Sequence, residues 1–173
     1  LIGSAMMEHD DLNAAVRRVL LGENKVCGLT REQDAQAAYE AGAIYGGLIF
    51  VESSPRAVNE EQARKVMAAA PLNYVGVFRD ADINDVAAKA DALSLSAVQL
   101  HGDEDQAYID ALRHALAPQV QIWKAQSVGA TLPARNLKHV DKYVLDNGQG
   151  GTGQRFDWSL LRGEVLDNVL LAG

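Results

Sequence analysis

The chain has 173 residues, 48% of them hydrophobic, with a formal net charge of −7 and a single cysteine, Cys27. This length supports one domain with a sizeable core. One cysteine excludes a disulfide framework, and no stretch of the sequence resembles a Cys/His metal cluster. The acidic balance without a basic stripe argues against nucleic acid, and no apolar run approaches the roughly 20 residues that cross a membrane, so we expect a cytoplasmic protein.

The first segment, "LIGSAMMEHDDLNAAVRRVLLGEN", combines a strand end with an amphipathic helix. Helical spacing predicts that four apolar side chains point inward, namely Leu12, Val16, Val19 and Leu20. The chain stops after "NVLLAG", a strand followed by one glycine. Because both ends look cut, we expect the sequence to be a piece of a longer chain.

Seven apolar, β-branched-rich runs predict strands that are buried on both faces. They are "KVCGL", "GGLIFV", "YVGVF", "SAVQL", "VQIWKA", "KYVLD" and "NVLLA". Their regular spacing fits one strand–helix unit each. These runs predict an alternating β and α chain from residue 25 onward.

Helical patterns lie between the first five strands. In "REQDAQAAYEAGA", Ala35, Ala38 and Ala41 form an apolar stripe with Tyr39, and Gly42 closes the helix. "NEEQARKVMAAAP" begins with an asparagine cap and acidic residues and ends at a proline. "DINDVAAKADALS" and "DEDQAYIDALRHAL" follow the same pattern.

Strict alternation of β and α predicts an α/β protein with a parallel sheet, either closed or open. No G-x-G-x-x-G follows the first strand, and regular units favour the (β/α)8 TIM barrel. Seven strands leave that barrel incomplete. The first segment either supplies an eighth strand, as in a permuted barrel, or is the tail of a preceding barrel.

Chemistry in such a barrel gathers at the C-terminal ends of the strands. The residues predicted there are Cys27, Arg56, Arg79, Asp80, His101, Lys124, Asp146 and the loop "GQGGTG". Cys27 and Asp146 suit proton transfer, because one group can remove a proton while the other delivers one. The thiol must be partly ionised, which Lys25 or a helix N-terminus would promote.

Each of these residues also has a structural interpretation. A lone cysteine is usually a small buried hydrophobe, and His101 could cap the next helix or bind backbone. Lys124 and Arg79 could extend from strand ends into water. Asp146 could be an N-cap or a turn residue, and the glycine-rich loop could be a flexible connection.

The motifs "KVCGLTREQDAQAAYEAGAIYGGLIFVESSPRAV", "VGVF", "VQLHGDE", "WKA" and "VLDNGQGGTGQRFDW" closely resemble the phosphoribosylanthranilate isomerases of tryptophan biosynthesis. The resemblance covers residues 24–173. Residues 1–23 resemble the last strand and helix of indole-3-glycerol-phosphate synthase. This synthase is a decarboxylating lyase, and it precedes the isomerase in a bifunctional (multifunctional) enzyme. This resemblance favours the tail of a preceding barrel for the first segment.

The resemblance implies that Cys27 is the base and Asp146 the acid of an Amadori rearrangement. The substrate would be N-(5-phosphoribosyl)anthranilate, with Arg56 holding its carboxylate. The other implied substrate-binding residues are Lys25, His101, Gly151 and Gly153. No cofactor or metal is implied, because the substrate carries its own electron sink.

The family holds the phosphate in loops after its last two strands, where this chain reaches Gly173. The implied phosphate-binding residues are therefore Gly173 and, from the synthase-like segment, Gly3 and Ser4. Two rival interpretations follow. The chain is either a barrel fragment that self-associates without activity, or a permuted barrel that uses Gly3 and Ser4 for phosphate.

Overall fold

The computed structural model describes residues 12–147 and 156–172, in two compact units with their boundary between Tyr74 and Val75. The strands are β1 (Lys25–Cys27), β2 (Tyr45–Ile49), β3 (Asn73–Phe78), β4 (Ala97–Leu100), β5 (Gln121–Val128), β6 (Lys142–Asn147) and β7 (Val169–Leu171). The helices are α1 (Leu12–Leu21), α2 (Glu32–Glu40), α3 (Glu60–Ala69), α4 (Ile83–Ala92) and α5 (Gln106–Ala115), with a 3-10 helix at Trp158–Leu161. All seven predicted strands are confirmed.

The first unit contains α1, β1, α2, β2, α3 and the start of β3. Strands β1 and β2 pair in parallel, with Cys27 opposite Gly47. All five residues of β2 are buried, as expected of a strand covered on both faces. Asn73 N donates to Ile44 O at 3.0 Å, so that β3 begins beside the strand before it.

The apolar stripe of α1 does not point inward as predicted. Val19 and Leu20 are 49% and 74% exposed, and Val16 is half-buried. The helix instead packs through Ala15 and through Arg17, whose guanidinium lies 4.2 Å from the centre of the Tyr39 ring. Two arginine–aromatic contacts, Arg17 with Tyr39 and Arg18 with Tyr45, hold this helix against the unit and leave Val19 and Leu20 exposed. The Leu12 side chain lies outside the described atoms.

The predicted helix boundaries of the first unit are largely confirmed. Asn59 caps α3 by accepting from Gln62 N at 2.8 Å. Gly42 follows the last residues of α2 with a φ of +100°, a left-handed conformation that favours glycine. Ala35 and Ala38 are buried, but Ala41 is exposed because it is the C-terminal cap rather than part of the helix.

The second unit contains the rest of β3 and the chain to β7. Neighbouring strands from β3 to β7 pair in chain order, and all of these pairs are parallel. Helices α4 and α5 contact each other and bury Val86, Ile109 and Leu112. The largest fully buried side chains of the unit are Trp123, Tyr143, Phe78, Leu100, Ile109, Leu112, Ile122 and Leu145.

The expected strand–helix unit is not formed between β5 and β6. Residues 129–141 form turns and irregular chain without a helix. Gly129 and Pro133 interrupt this stretch, and it has no apolar stripe of helical period. None of the helices in the described part of the chain is long and apolar enough to span a membrane.

Candidate active site

Cys27 ends β1 with an exposed thiol, which contradicts its interpretation as a buried hydrophobe. Its backbone carbonyl accepts a hydrogen bond from Arg56 Nη1 at 3.1 Å. Arg56 lies after β2, in the turn-rich segment between that strand and α3. The structure therefore brings two of the predicted site residues together within the first unit.

The turn after Cys27 depends on glycine. Gly28 has a φ of +80°, and a β-carbon there would lie 2.7 Å from Arg56 Nη1 and 2.9 Å from its Cδ. Gly28 N and Leu29 N both donate to Gly47 O, at 2.9 and 3.0 Å. The absent side chain at Gly28 leaves the space in which the Arg56 side chain lies against the turn.

Gly47 provides room beside the thiol. A β-carbon at Gly47 would lie 2.9 Å from Cys27 Sγ and 3.1 Å from Lys25 Cε. Lys25 and Cys27 are two residues apart in β1, so their side chains share one face of the strand. The structure thus places Lys25 on the thiol's face, and its predicted contact with substrate stays a prediction.

Asp146 lies near the end of β6 and is only 8% exposed. Its Oδ1 accepts from Asn147 N at 2.7 Å. In the β5–β6 pairing, Asp146 is opposite Ser127, so these two side chains share a face of the sheet. Asp146 is therefore a buried strand residue rather than an N-cap or a turn residue.

His101 follows the last residue of β4, and its backbone N donates to Phe78 O at 2.8 Å. Its ring Nδ1 lies 3.4 Å from Nε2 of Gln99, which is 2% exposed. Within the described residues, Gln99 Oε1 has no hydrogen-bond partner. A buried amide that is half satisfied in this way is uncommon and marks a place where a ligand donor or water fits.

Strand registers place Gln99 and Asp146 on the same face of the second unit's sheet. Gln99 pairs with Trp123, and Ser127 pairs with Asp146. Because Trp123 and Ser127 are four residues apart in β5, all four side chains point to one side. The second unit therefore brings Gln99, the adjoining His101 and the predicted acid to a common face.

Lys124 is not a side chain that extends into water. Its side chain is 7% exposed, and Nζ forms an ion pair with Glu104 Oε2 at 2.8 Å. Because Lys124 is an odd number of residues from Ser127, it points to the face opposite Asp146. Arg79, by contrast, is exposed, as is Asp80 beside it.

Glu104 is part of the quoted "VQLHGDE" motif, but no local sequence pattern indicated a role for it. Its carboxylate lies beneath the loops that follow β3 and β4. Burial, together with the nearby acids Glu104, Asp82 and Asp80, raises the pKa of Tyr108 to about 12. The Tyr108 hydroxyl donates to Ala81 O at 2.8 Å, so it is an uncharged structural donor under these loops.

Several predicted residues lie outside the described part of the chain. They are Gly3, Ser4, Gly151, Gly153 and Gly173. Cys27 and Arg56 belong to the first unit, and His101 and Asp146 belong to the second unit. Among residues 12–147 and 156–172, no group of three His, Cys, Asp or Glu side chains could hold a metal ion.

Comparison with known proteins identifies the family. Residues 24–173 match the family of N-(5'-phosphoribosyl)anthranilate (PRA) isomerase. The whole chain is 76% identical to the tryptophan biosynthesis protein TrpCF of Salmonella typhi, over 173 residues. The chain spans only 38% of the length of that relative.

Solved structures agree with this match. The phosphoribosyl anthranilate isomerase of Thermotoga maritima aligns with a TM-score of 0.73 and 30% identity, over 87% of this chain and 76% of that one. A phosphoribosyl anthranilate isomerase in complex with reduced 1-(o-carboxyphenylamino)-1-deoxyribulose 5-phosphate aligns with a TM-score of 0.64 and 30% identity, over 80% of this chain and 68% of that one. These similarities confirm the incomplete (β/α)8 barrel, and the chain belongs to the phosphoribosylanthranilate isomerase family.

Proposed function

We propose that this chain is the isomerase part of a bifunctional protein of tryptophan biosynthesis. The family match covers residues 24–173, and the Salmonella typhi relative matches the chain from its first residue. We propose further that residues 1–23 are the end of an indole-3-glycerol-phosphate synthase barrel. The lyase activity, a decarboxylation, would then belong to residues that precede this chain in the longer protein.

The proposed reaction converts N-(5-phosphoribosyl)anthranilate to 1-(2-carboxyphenylamino)-1-deoxyribulose 5-phosphate. Asp146 gives its proton to the ribose ring oxygen, and the bond from that oxygen to C1′ breaks to leave a Schiff base. The Cys27 thiolate then removes the C2′ proton, the electron pair of that C–H bond forms a C1′=C2′ double bond, and the C=N electron pair returns to the nitrogen. The resulting enolamine takes up a proton at C1′ and loses the proton of its C2′ hydroxyl, which gives the aminoketone product.

The surroundings of the two groups support these roles. The Cys27 thiol is exposed at a strand end, where a substrate can reach it. Asp146 is buried near the end of β6, where its carboxyl is shielded from bulk water. The solved relative that holds a reduced deoxyribulose phosphate supports a small phosphorylated molecule as the ligand.

Arg56 is proposed to bind the anthranilate carboxylate through its planar guanidinium. Lys25 and His101 are proposed as further substrate contacts, with Gly151 and Gly153 in the loop over the substrate. The proposed phosphate-binding residues are Gly173, Gly3 and Ser4, which can offer backbone N–H groups. The reaction needs no cofactor, because the Schiff base accepts the electrons.

The contact between Arg56 and the Cys27 carbonyl carries this proposal, because it joins the carboxylate-binding cation to the base. The test uses a full-length chimera in which these 173 residues replace the matched segment of the Salmonella typhi relative. We expect the chimera to convert the phosphoribosyl substrate, and the double variant Cys27→Ala/Asp146→Asn to lose this activity. A chimera that folds and leaves the substrate unchanged would contradict the proposal.

A further inference from the structure

A buried carboxylate organises the loops at the ends of β3 and β4. Glu104, 6% exposed, accepts from Asp80 N at 2.9 Å through Oε1 and from Gly102 N at 2.9 Å through Oε2. Its third partner is Lys124 Nζ, at 2.8 Å. Three donors from three separate segments of chain therefore meet on a single carboxylate.

Lys124, in the middle of β5, completes the link. Its Nζ also donates to Gly102 O at 2.6 Å. Gly102 is thus held at both its N–H and its carbonyl by the same ion pair. Buried charges are tolerated only where partners satisfy them, and each member of this pair has hydrogen bonds beyond the pair itself.

The loop after β3 and the loop after β4 each donate a backbone hydrogen bond to a carboxylate of the other. Asp80 adopts a φ of +48°, and its Oδ1 accepts from Asp103 N at 2.7 Å while its own N–H binds Glu104. A β-carbon at Gly102 would collide with the Asp80 carboxylate. This close approach leaves the residue beside His101 little freedom to move.

We infer that Glu104 and Lys124 are positioning residues that hold His101 in place at the site. His101 is bound to Phe78 O through its own N–H, and the next residue, Gly102, is bound by Glu104 and Lys124. The backbone on both sides of His101 is therefore fixed. The inference rests on the proposed function, in which the His101 ring contacts the substrate.

The test compares Glu104→Gln and Lys124→Met in the chimera. Each should lower kcat/KM by about tenfold to a hundredfold, the range for displacement of a substrate-positioning group. In a His101→Asn background, the same substitutions should change kcat/KM by less than about twofold, because the group that they position is gone. Ile109→Val in buried α5 is the control, with a lower melting temperature and unchanged kcat/KM.

The double variant Glu104→Gln/Lys124→Met separates positioning from stability. It should melt above the more damaged single variant, because no unpaired charge stays buried, yet its kcat/KM should not recover. Recovery of kcat/KM together with the melting temperature would overturn the inference. The inference would also be overturned if adding Glu104→Gln to the His101→Asn variant lowered kcat/KM by the same factor as in the parent chimera.

A readout without catalysis distinguishes this inference from the proposed function. In the chimera with isotope-labelled histidine, we expect a single sharp His101 ring resonance that shifts and broadens in Glu104→Gln and not in Ile109→Val. An unchanged His101 resonance would refute positioning even if the chimera is active. An inactive chimera in which the resonance still responds would refute the proposed function and leave positioning supported.

Discussion

Gly47 lies directly opposite Cys27, and a β-carbon at Gly47 would stand 2.9 Å from the Cys27 sulfur. Gly47→Ala should displace the thiol and lower kcat by about tenfold to a hundredfold in the chimera. Gly129→Ala is the matched control, because a β-carbon there meets nothing within 4 Å. Equal kcat for Gly47→Ala and the parent chimera would show that the thiol position does not limit turnover.

Removal of either proposed proton-transfer group should slow the chemical step. Cys27→Ala and Asp146→Asn should each reduce kcat at least about a hundredfold while KM changes little. Steady-state kinetics on the chimera measures this. Asp91→Asn, at an exposed position on α4, is the control for the second substitution. Near-full turnover in either variant would remove that residue from the mechanism.

Arg56→Lys should weaken substrate capture. A lysine cannot repeat the bidentate contact with a carboxylate, and loss of a charged hydrogen bond costs about 1.5–3 kcal/mol, which corresponds to at least about tenfold in kcat/KM. Arg64→Lys on α3, where the arginine pairs with Glu60 at 2.6 Å on the surface, is the control. Wild-type kcat/KM for Arg56→Lys would contradict the assignment.

Alkaline pH should destabilise the first unit through Tyr74. Burial raises the pKa of this tyrosine from 10.0 to about 12, and its hydroxyl lies 2.9 Å from Ala70 O. The folded protein retains the proton between these two values while the unfolded chain loses it. The stabilisation is therefore complete below pH 10 and is lost as the pH rises toward 12.

Tyr74→Phe tests this pH dependence. The variant should be less stable than the parent chimera below pH 10, and the difference should shrink by about 2–3 kcal/mol as the pH approaches 12. Urea denaturation across this range measures the free energy of unfolding. A constant difference between variant and parent at all pH values would refute the raised pKa of Tyr74.

The 173 residues expressed alone should be inactive and self-associated. Large apolar side chains are exposed in the described residues, namely Val19, Leu20, Leu21, Val26, Trp158, Val165 and Leu171. Exposed apolar groups on terminal strands and helices promote association. Light scattering and an activity assay test this. An active, cooperatively melting monomer would contradict the fragment interpretation and favour the permuted barrel.

Local sequence patterns predicted the strands and most helix boundaries. Buried runs such as β2 and caps such as Asn59 act over a few residues, so their signals are legible in the chain itself. Periodicity also detected α1, but it could not tell which face of that helix meets its neighbours. The exposed Val19 shows this limit.

The family resemblance named Cys27 and Arg56, and the structure brings these two residues into contact, while their roles stay predictions. The role of Glu104 was not predictable from sequence, because it arises from donors at Asp80, Gly102 and Lys124 that meet only in the fold. An acid three residues after His101, just before the helix cap Asp105, was the only local signal. Such a signal is common at helix starts and has low specificity.

The bond from Arg56 to the Cys27 carbonyl has a consequence for changing what the site accepts. If Arg56 selects the substrate by its carboxylate, then the selecting residue is also attached to the peptide that carries the base. Selectivity and rate are thereby coupled through one hydrogen bond. A variant chain that accepts substrates without a carboxylate would no longer need the arginine for binding. To replace it without a lower turnover rate, the chain would need another hydrogen-bond donor for the Cys27 carbonyl.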